Sequence, residues 1–140
     1  MYESALFIAQ YIINKCTVEK KPISNLQLQK ILYFIQLEFL KQGDQAFEDD
    51  FQAWQFGPLI PSVYYRFCGY GSSLIRMTYN LNIDGIHFEV VDKIVESRRS
   101  EDPWSMVTQT HEKGKAWDIV YANGDGKYNI IPKELIRDNG

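Results

Sequence analysis

Residues 24–43, SNLQLQKILYFIQLEFLKQG, followed by residues 53–67, AWQFGPLIPSVYYRF, decide how this chain folds. In the first stretch Ser24 with Gln27 three positions on is a capping-box pattern, which starts a helix by satisfying its free amides. Leu28, Ile31, Leu32, Ile35 and Phe39 form an apolar stripe that Leu26, Tyr33, Phe34, Leu37 and Leu40 widen, and Gly43 supplies a left-handed stop. A helix this apolar must be covered on more than one side, so it is expected at the centre of the fold. The second stretch begins inside Phe51–Phe56, whose partial alternation and aromatic content predict a short strand. Gly57-Pro58 is expected to turn the chain. Pro61 fits the first turn of a third helix, with Val63, Tyr64 and Phe67 inward and Gly69 and Gly71 ending it.

Outward from this centre, Ala5, Ala9, Ile12, Ile13 and Cys16 recur on one helical face and predict a first helix closed by Thr17–Lys21 and Pro22. Residues 72–83 show no clean period. Asp84 is placed to cap a helix carrying Phe88, Val91, Ile94 and Val95. Asp102-Pro103 opens another, carrying Trp104, Val107 and His111 and stopped by Gly114. Trp117 begins a short linking element, Asn123–Gly126 is a turn, Tyr128–Ile130 reads as a second strand paired with residues 53–56, and Pro132–Arg137 opens like a terminal helix. The expected fold is mainly α: a compact single-domain bundle, residues 1–140, of about six helices with a minor two-stranded β-element.

A chain of 140 residues, 45% hydrophobic and 24% charged, has the composition of a globular protein, not of a disordered or membrane-spanning one. The longest apolar runs fall short of the ~20 residues a bilayer requires. Without a basic flank and a small-residue cleavage site at the N-terminus, a cytoplasmic location is expected. A net charge of -3 with scattered basic residues argues against nucleic acid as a partner. Cys16 and Cys68 sit among apolar neighbours and are read as reduced core thiols.

The residues that could carry chemistry do not assemble into a recognisable site, so no catalytic, cofactor-binding or metal-binding residue is assigned. Cys68 with His87 or His111 could form a thiolate–imidazole pair, but a thiol following Phe67 in an aromatic helix fits core packing better. Cys16, Cys68, His87 and His111 lack the close spacing of a zinc site. Glu48-Asp49-Asp50 reads as a solvated connector. Gly69-Tyr70-Gly71 has no lysine at phosphate-loop spacing. Of the aromatic residues, Trp54, Tyr64 and Trp117 are assigned mainly to the core, whereas Tyr65 and Tyr70 suit an interface equally well.

Leu28-Gln29-Lys30-Ile31-Leu32-Tyr33-Phe34, Phe47, the block Ala53-Trp54-Gln55-Phe56-Gly57-Pro58-Leu59-Ile60-Pro61-Ser62-Val63-Tyr64, Thr110-His111 and Trp117 resemble the Panacea domain. That domain occurs in SocA-like antitoxins and in GepA-like phage-associated proteins, and the likeness runs from the first helix to Ile136. The resemblance implies a non-enzymatic antitoxin of a bacterial or prophage toxin–antitoxin pair, whose partner is a cognate toxin encoded by the adjacent gene. In the SocA-like branch it further implies an adaptor that delivers the toxin to the ClpXP protease.

On this reading the motif residues form a scaffold, and Tyr65, Arg66, Tyr70 and Arg76 are the expected partner contacts, being of the types that anchor interfaces. A DNA-binding autoregulator of its operon and a phage-encoded module with a host target are the alternative functions. A homodimer is left open.

Overall fold

The computed structural model describes residues 1–140. Seven α-helices surround a three-stranded antiparallel sheet: α1 (Ala5–Val18), α2 (Asn25–Lys41), β1 (Phe51–Trp54), β2 (Gly57–Leu59), α3 (Pro61–Phe67), α4 (Glu89–Arg98), α5 (Pro103–Thr110), α6 (Ala116–Tyr121), β3 (Ile130–Ile131) and α7 (Lys133–Asn139). The mainly helical expectation holds. The seventh helix is α6, where sequence suggested only a linking element, and the third strand is β2.

The capping box at Ser24 and Gln27 forms with both of its hydrogen bonds, and Gly43 ends the segment at φ +82°. Helix α2 is central: α1, α3, α4, α5, α7 and β2 all pack on it. Its Leu28, Ile31, Leu32 and Ile35 are fully buried in a core shared with α1, α4 and the sheet. Polar side chains that would normally face water on a surface helix are buried too. Gln36 donates to Phe47 O and accepts from Ala46 N–H, at 2.9 and 2.7 Å, so it fastens the loop that follows α2.

The expected turn at Gly57-Pro58 is displaced. Trp54 pairs with Gly57, so Gln55 and Phe56 form the hairpin loop and Gly57-Pro58 lies within β2. Strand order β2-β1-β3 makes β2 an edge, the position where a proline without an N–H is tolerated. Opposite Pro58, Ala53 directs its N–H to Asn129 O and its carbonyl to Tyr128 N–H. A second strand does pair with β1, but displaced from the expected residues: it is Ile130–Ile131, in the register Phe51↔Ile131 and Gln52↔Ile130, and of residues 53–56 Ala53 bonds the segment before it.

Two further expectations are corrected. Asp84 lies in a turn with Gly85 at φ +74°, while α4 starts at Glu89 behind Phe88, which makes no side-chain cap. The ring of Phe88 is instead stacked between those of Tyr2 and Tyr11. Cys68 is exposed, in a single 3₁₀ turn after α3; only Cys16 is a buried thiol. Asp102 caps α5 ahead of Pro103 as expected, accepting from Trp104 N–H at 3.1 Å. No helix is long and apolar enough to cross a membrane.

Candidate functional site

The motif residues converge on the β1–β2 hairpin and grip its backbone from two sides. From α2, Gln29 Oε1 accepts from Ile60 N–H at 3.0 Å while its amide donates to Asn25. Asn25 in turn donates to Tyr64 O, so the entry to α3 is held by two α2 amides. One position on, Lys30 Nζ donates to Pro58 O at 3.0 Å. From α6, Trp117 Nε1 donates to Trp54 O at 2.8 Å. Lys30 and Gln29 thereby satisfy Pro58 O and Ile60 N–H, for which the sheet offers no partner, and a buried unpaired group of this kind would cost about 1–3 kcal/mol.

Gly57 is where these elements come closest. It adopts φ +111°, and a Cβ there would lie 2.9 Å from both Lys30 Cε and Thr110 Oγ1. Thr110 is buried at the end of α5 and donates to Val107 O. Next to it the His111 ring stacks on Trp117, 3.6 Å between centroids and nearly parallel. Its Nε2 is buried without a hydrogen-bond partner. Burial, and then the charge of Lys30, hold the imidazole below its ordinary pKa. Lys30 is 1% exposed, and desolvation brings its ammonium down to about 7. Leu28 and Tyr33 complete the scaffold, Tyr33 meeting Phe51 edge-on. Pro61 stands at the first position of α3.

Above this scaffold a cleft of about 430 Å³ opens between α2, the hairpin, α5 and the segment before β3. Trp54 forms its centre, with Tyr64, Tyr65 and Tyr128 around it at 5.3, 6.1 and 5.1 Å between centroids. Tyr128 holds a left-handed backbone, φ +73°, which a bulky residue rarely adopts and which here carries its ring to Trp54. Phe56, at the hairpin tip, meets Trp104 of α5 edge-on at 5.2 Å, and both are about half exposed.

Of the residues expected to touch a partner, Tyr65 joins this aromatic cluster and is 62% exposed. Arg66 follows it on the exposed side of α3, Tyr70 directs its hydroxyl to Met77 Sδ, and Arg76 lies in the irregular stretch beyond. None of the four lines the cleft itself; Tyr65 borders it through its contact with Trp54. Trp54 and Tyr64, assigned mainly to the core, are partly exposed, whereas Trp117 is buried. Phe56, Trp104, Lys127 and Tyr128 were not singled out as contacts from sequence. The one available signal was Trp104 directly after Asp102-Pro103, a first-turn position with no apolar partner one turn earlier.

The suggested Cys68–His111 pair is not assembled. The Cys68 thiol donates to Tyr65 O at 3.3 Å, whereas His111 is occupied by Trp117.

The family model described as antitoxin SocA-like, Panacea domain, matches residues 28–118. These limits take in Gln29, Lys30 and Trp117, the side chains that hold the hairpin. Antitoxin SocA of Caulobacter vibrioides (strain NA1000 / CB15N) is 31% identical over 133 residues, covering 85% of this chain and 70% of that protein. No solved structure matches the chain significantly.

Proposed function

Because the chain belongs to the SocA-like antitoxin family of Panacea domains, we propose that it neutralises a cognate protein toxin by direct binding, with the aromatic cleft as the contact. The observation that carries this reading is the pairing of a rigid base with an exposed aromatic rim. Phe56, Trp104, Tyr65 and Tyr128 are all among the exposed large hydrophobic residues. Phe56 is the tip of the hairpin that Gln29, Lys30 and Trp117 fix, and Tyr65 of α3, Trp104 of α5 and Tyr128 before β3 stand around it. Aromatic side chains held in place before binding lose little freedom on association, which is why they dominate the energetics of interfaces.

No catalysis is invoked. Occlusion or distortion of the toxin by a stable complex is sufficient, and such a complex buries on the order of 1,200–2,000 Å² in total. Tyr65 and Arg66 extend the contact along α3, with Tyr70 and Arg76 at its periphery. Delivery of the bound toxin to ClpXP is a finer role that the SocA-like resemblance supports. It would appear as toxin loss that depends on both this chain and the protease.

Co-expression with the adjacent gene tests neutralisation. The neighbour alone should arrest growth, and this chain should restore it. A harmless neighbour, or toxicity that persists with this chain present, contradicts the reading.

A further inference from the structure

The cleft differs in charge from the rest of the molecule. The chain carries 18 acidic residues and a net charge of -3, yet no Asp or Glu lines the cleft, whereas Lys30 and Lys127 both do. Lys30 lies beneath the floor, fully buried, with Pro58 O as the one acceptor for its three N–H donors. Lys127 is exposed at the rim, its Nζ 5.1 Å from the centre of the Tyr128 ring. Lys15, Lys115 and Lys133 are paired with carboxylates, whereas Lys30 and Lys127 have none.

Burial leaves the Lys30 ammonium only about half populated at neutral pH; a nearby anion offsets that burial cost and draws the proton back, and the field of the resulting cation is weakly screened by solvent. The walls have the opposite character: the Trp54, Tyr64 and Tyr128 rings offer apolar faces with polar edges. The site thus asks for negative charge at one point and apolar surface around it.

Resting on the cleft as the toxin contact, we propose that its occupant is an extended protein segment in which an Asp or Glu stands between apolar or aromatic side chains. The carboxylate lies above the Lys30 floor and against Lys127, and the flanking side chains pack on Trp54, Tyr128 and the Phe56–Trp104 pair. Charge fixes the register of the segment, and aromatic burial supplies most of its affinity.

Selection of phage-displayed dodecapeptides against the immobilised full chain tests this, followed by titration of the synthesised, end-capped winners by tryptophan fluorescence. Enriched peptides should share an acidic residue at a fixed position beside apolar ones, and its amide replacement should weaken binding at least tenfold. Lys127→Glu should do the same, whereas Lys93→Glu, on the exposed side of α4, should not. Because Lys127 is a surface residue, its replacement leaves the fold intact, and Lys30→Met then tests the floor. Neutral or basic winners, no enrichment, or indifference to Lys127→Glu would overturn the proposal. So would a free dicarboxylate such as succinate binding as tightly as the peptides. Neutralisation of the neighbouring gene's product together with non-acidic winners sinks this inference alone. Acidic winners together with failed neutralisation sink only the toxin reading.

Discussion

The indole N–H of Trp117 donates to the carbonyl of Trp54 across 2.8 Å, so a buried ring on α6 holds the end of the strand whose own ring forms the cleft wall. Trp117→Phe keeps an aromatic ring but removes one of the two donors to that carbonyl, the other being Gly57 N–H across the hairpin. It should cost about 0.5–1.5 kcal/mol in urea denaturation. Trp54→Ala acts on a partly exposed ring and should cost less than the ~3–5 kcal/mol typical of a fully buried aromatic.

Gly57 offers a sharper test of the close approach between the hairpin, α2 and α5. Gly57→Ala introduces both an unfavourable φ and a Cβ against Lys30 and Thr110. It should destabilise by roughly 2–4 kcal/mol, since strain and overpacking add. Gly43→Ala, also at positive φ but with open space around it, should cost only about 1 kcal/mol. Chemical denaturation of the two variants side by side checks the difference.

Lys30 gives stability a pH dependence with a definite sign. Its folded pKa is about 7, against 10.5 for an ordinary lysine. Between those values the unfolded chain holds a proton that the folded chain has released, so folding stability rises with pH, by up to about 1.4 kcal/mol per unit. The ionisable group set against it is His111, whose lowered pKa acts in the same direction below the usual histidine range. Relative to Lys30→Met, the wild type should therefore gain stability from pH 7 to 9. Equal slopes for the two proteins would mean that Lys30 is not desolvated in the fold.

Tyr65→Ala separates surface from scaffold. With the ring 62% exposed, the melting temperature should stay nearly unchanged, while affinity for the toxin should fall several-fold. Thermal melting and titration of the same preparation give both readings.

The central helix was legible because its signals agree: a capping box, a wide apolar stripe and a glycine stop all describe α2. Its buried polar side chains were harder to place. Gln29 and Lys30 belong to the quoted motif, but their partners, Ile60 N–H and Pro58 O, lie about thirty residues away and no local pattern encodes them. The sparse charge on α2, with only Lys30, Glu38 and Lys41 ionisable apart from Tyr33, was the signal that its polar face is covered as well. The hairpin turn was misplaced because Gly-Pro reads as a turn locally, whereas the pairing of Trp54 with Gly57 puts the loop at Gln55-Phe56. The cleft escaped for a related reason. Phe56, Trp104 and Tyr128 are far apart in sequence, and only tertiary packing brings them to one rim.

The most direct test is titration of the purified chain with the purified product of the adjacent gene, wild type against Trp104→Ala. Trp104 is 53% exposed, so the variant should fold as the wild type does. The account predicts a stable wild-type complex and at least a tenfold loss of affinity in the variant at unchanged melting temperature. No complex with the wild type, or full affinity in the variant, would contradict it.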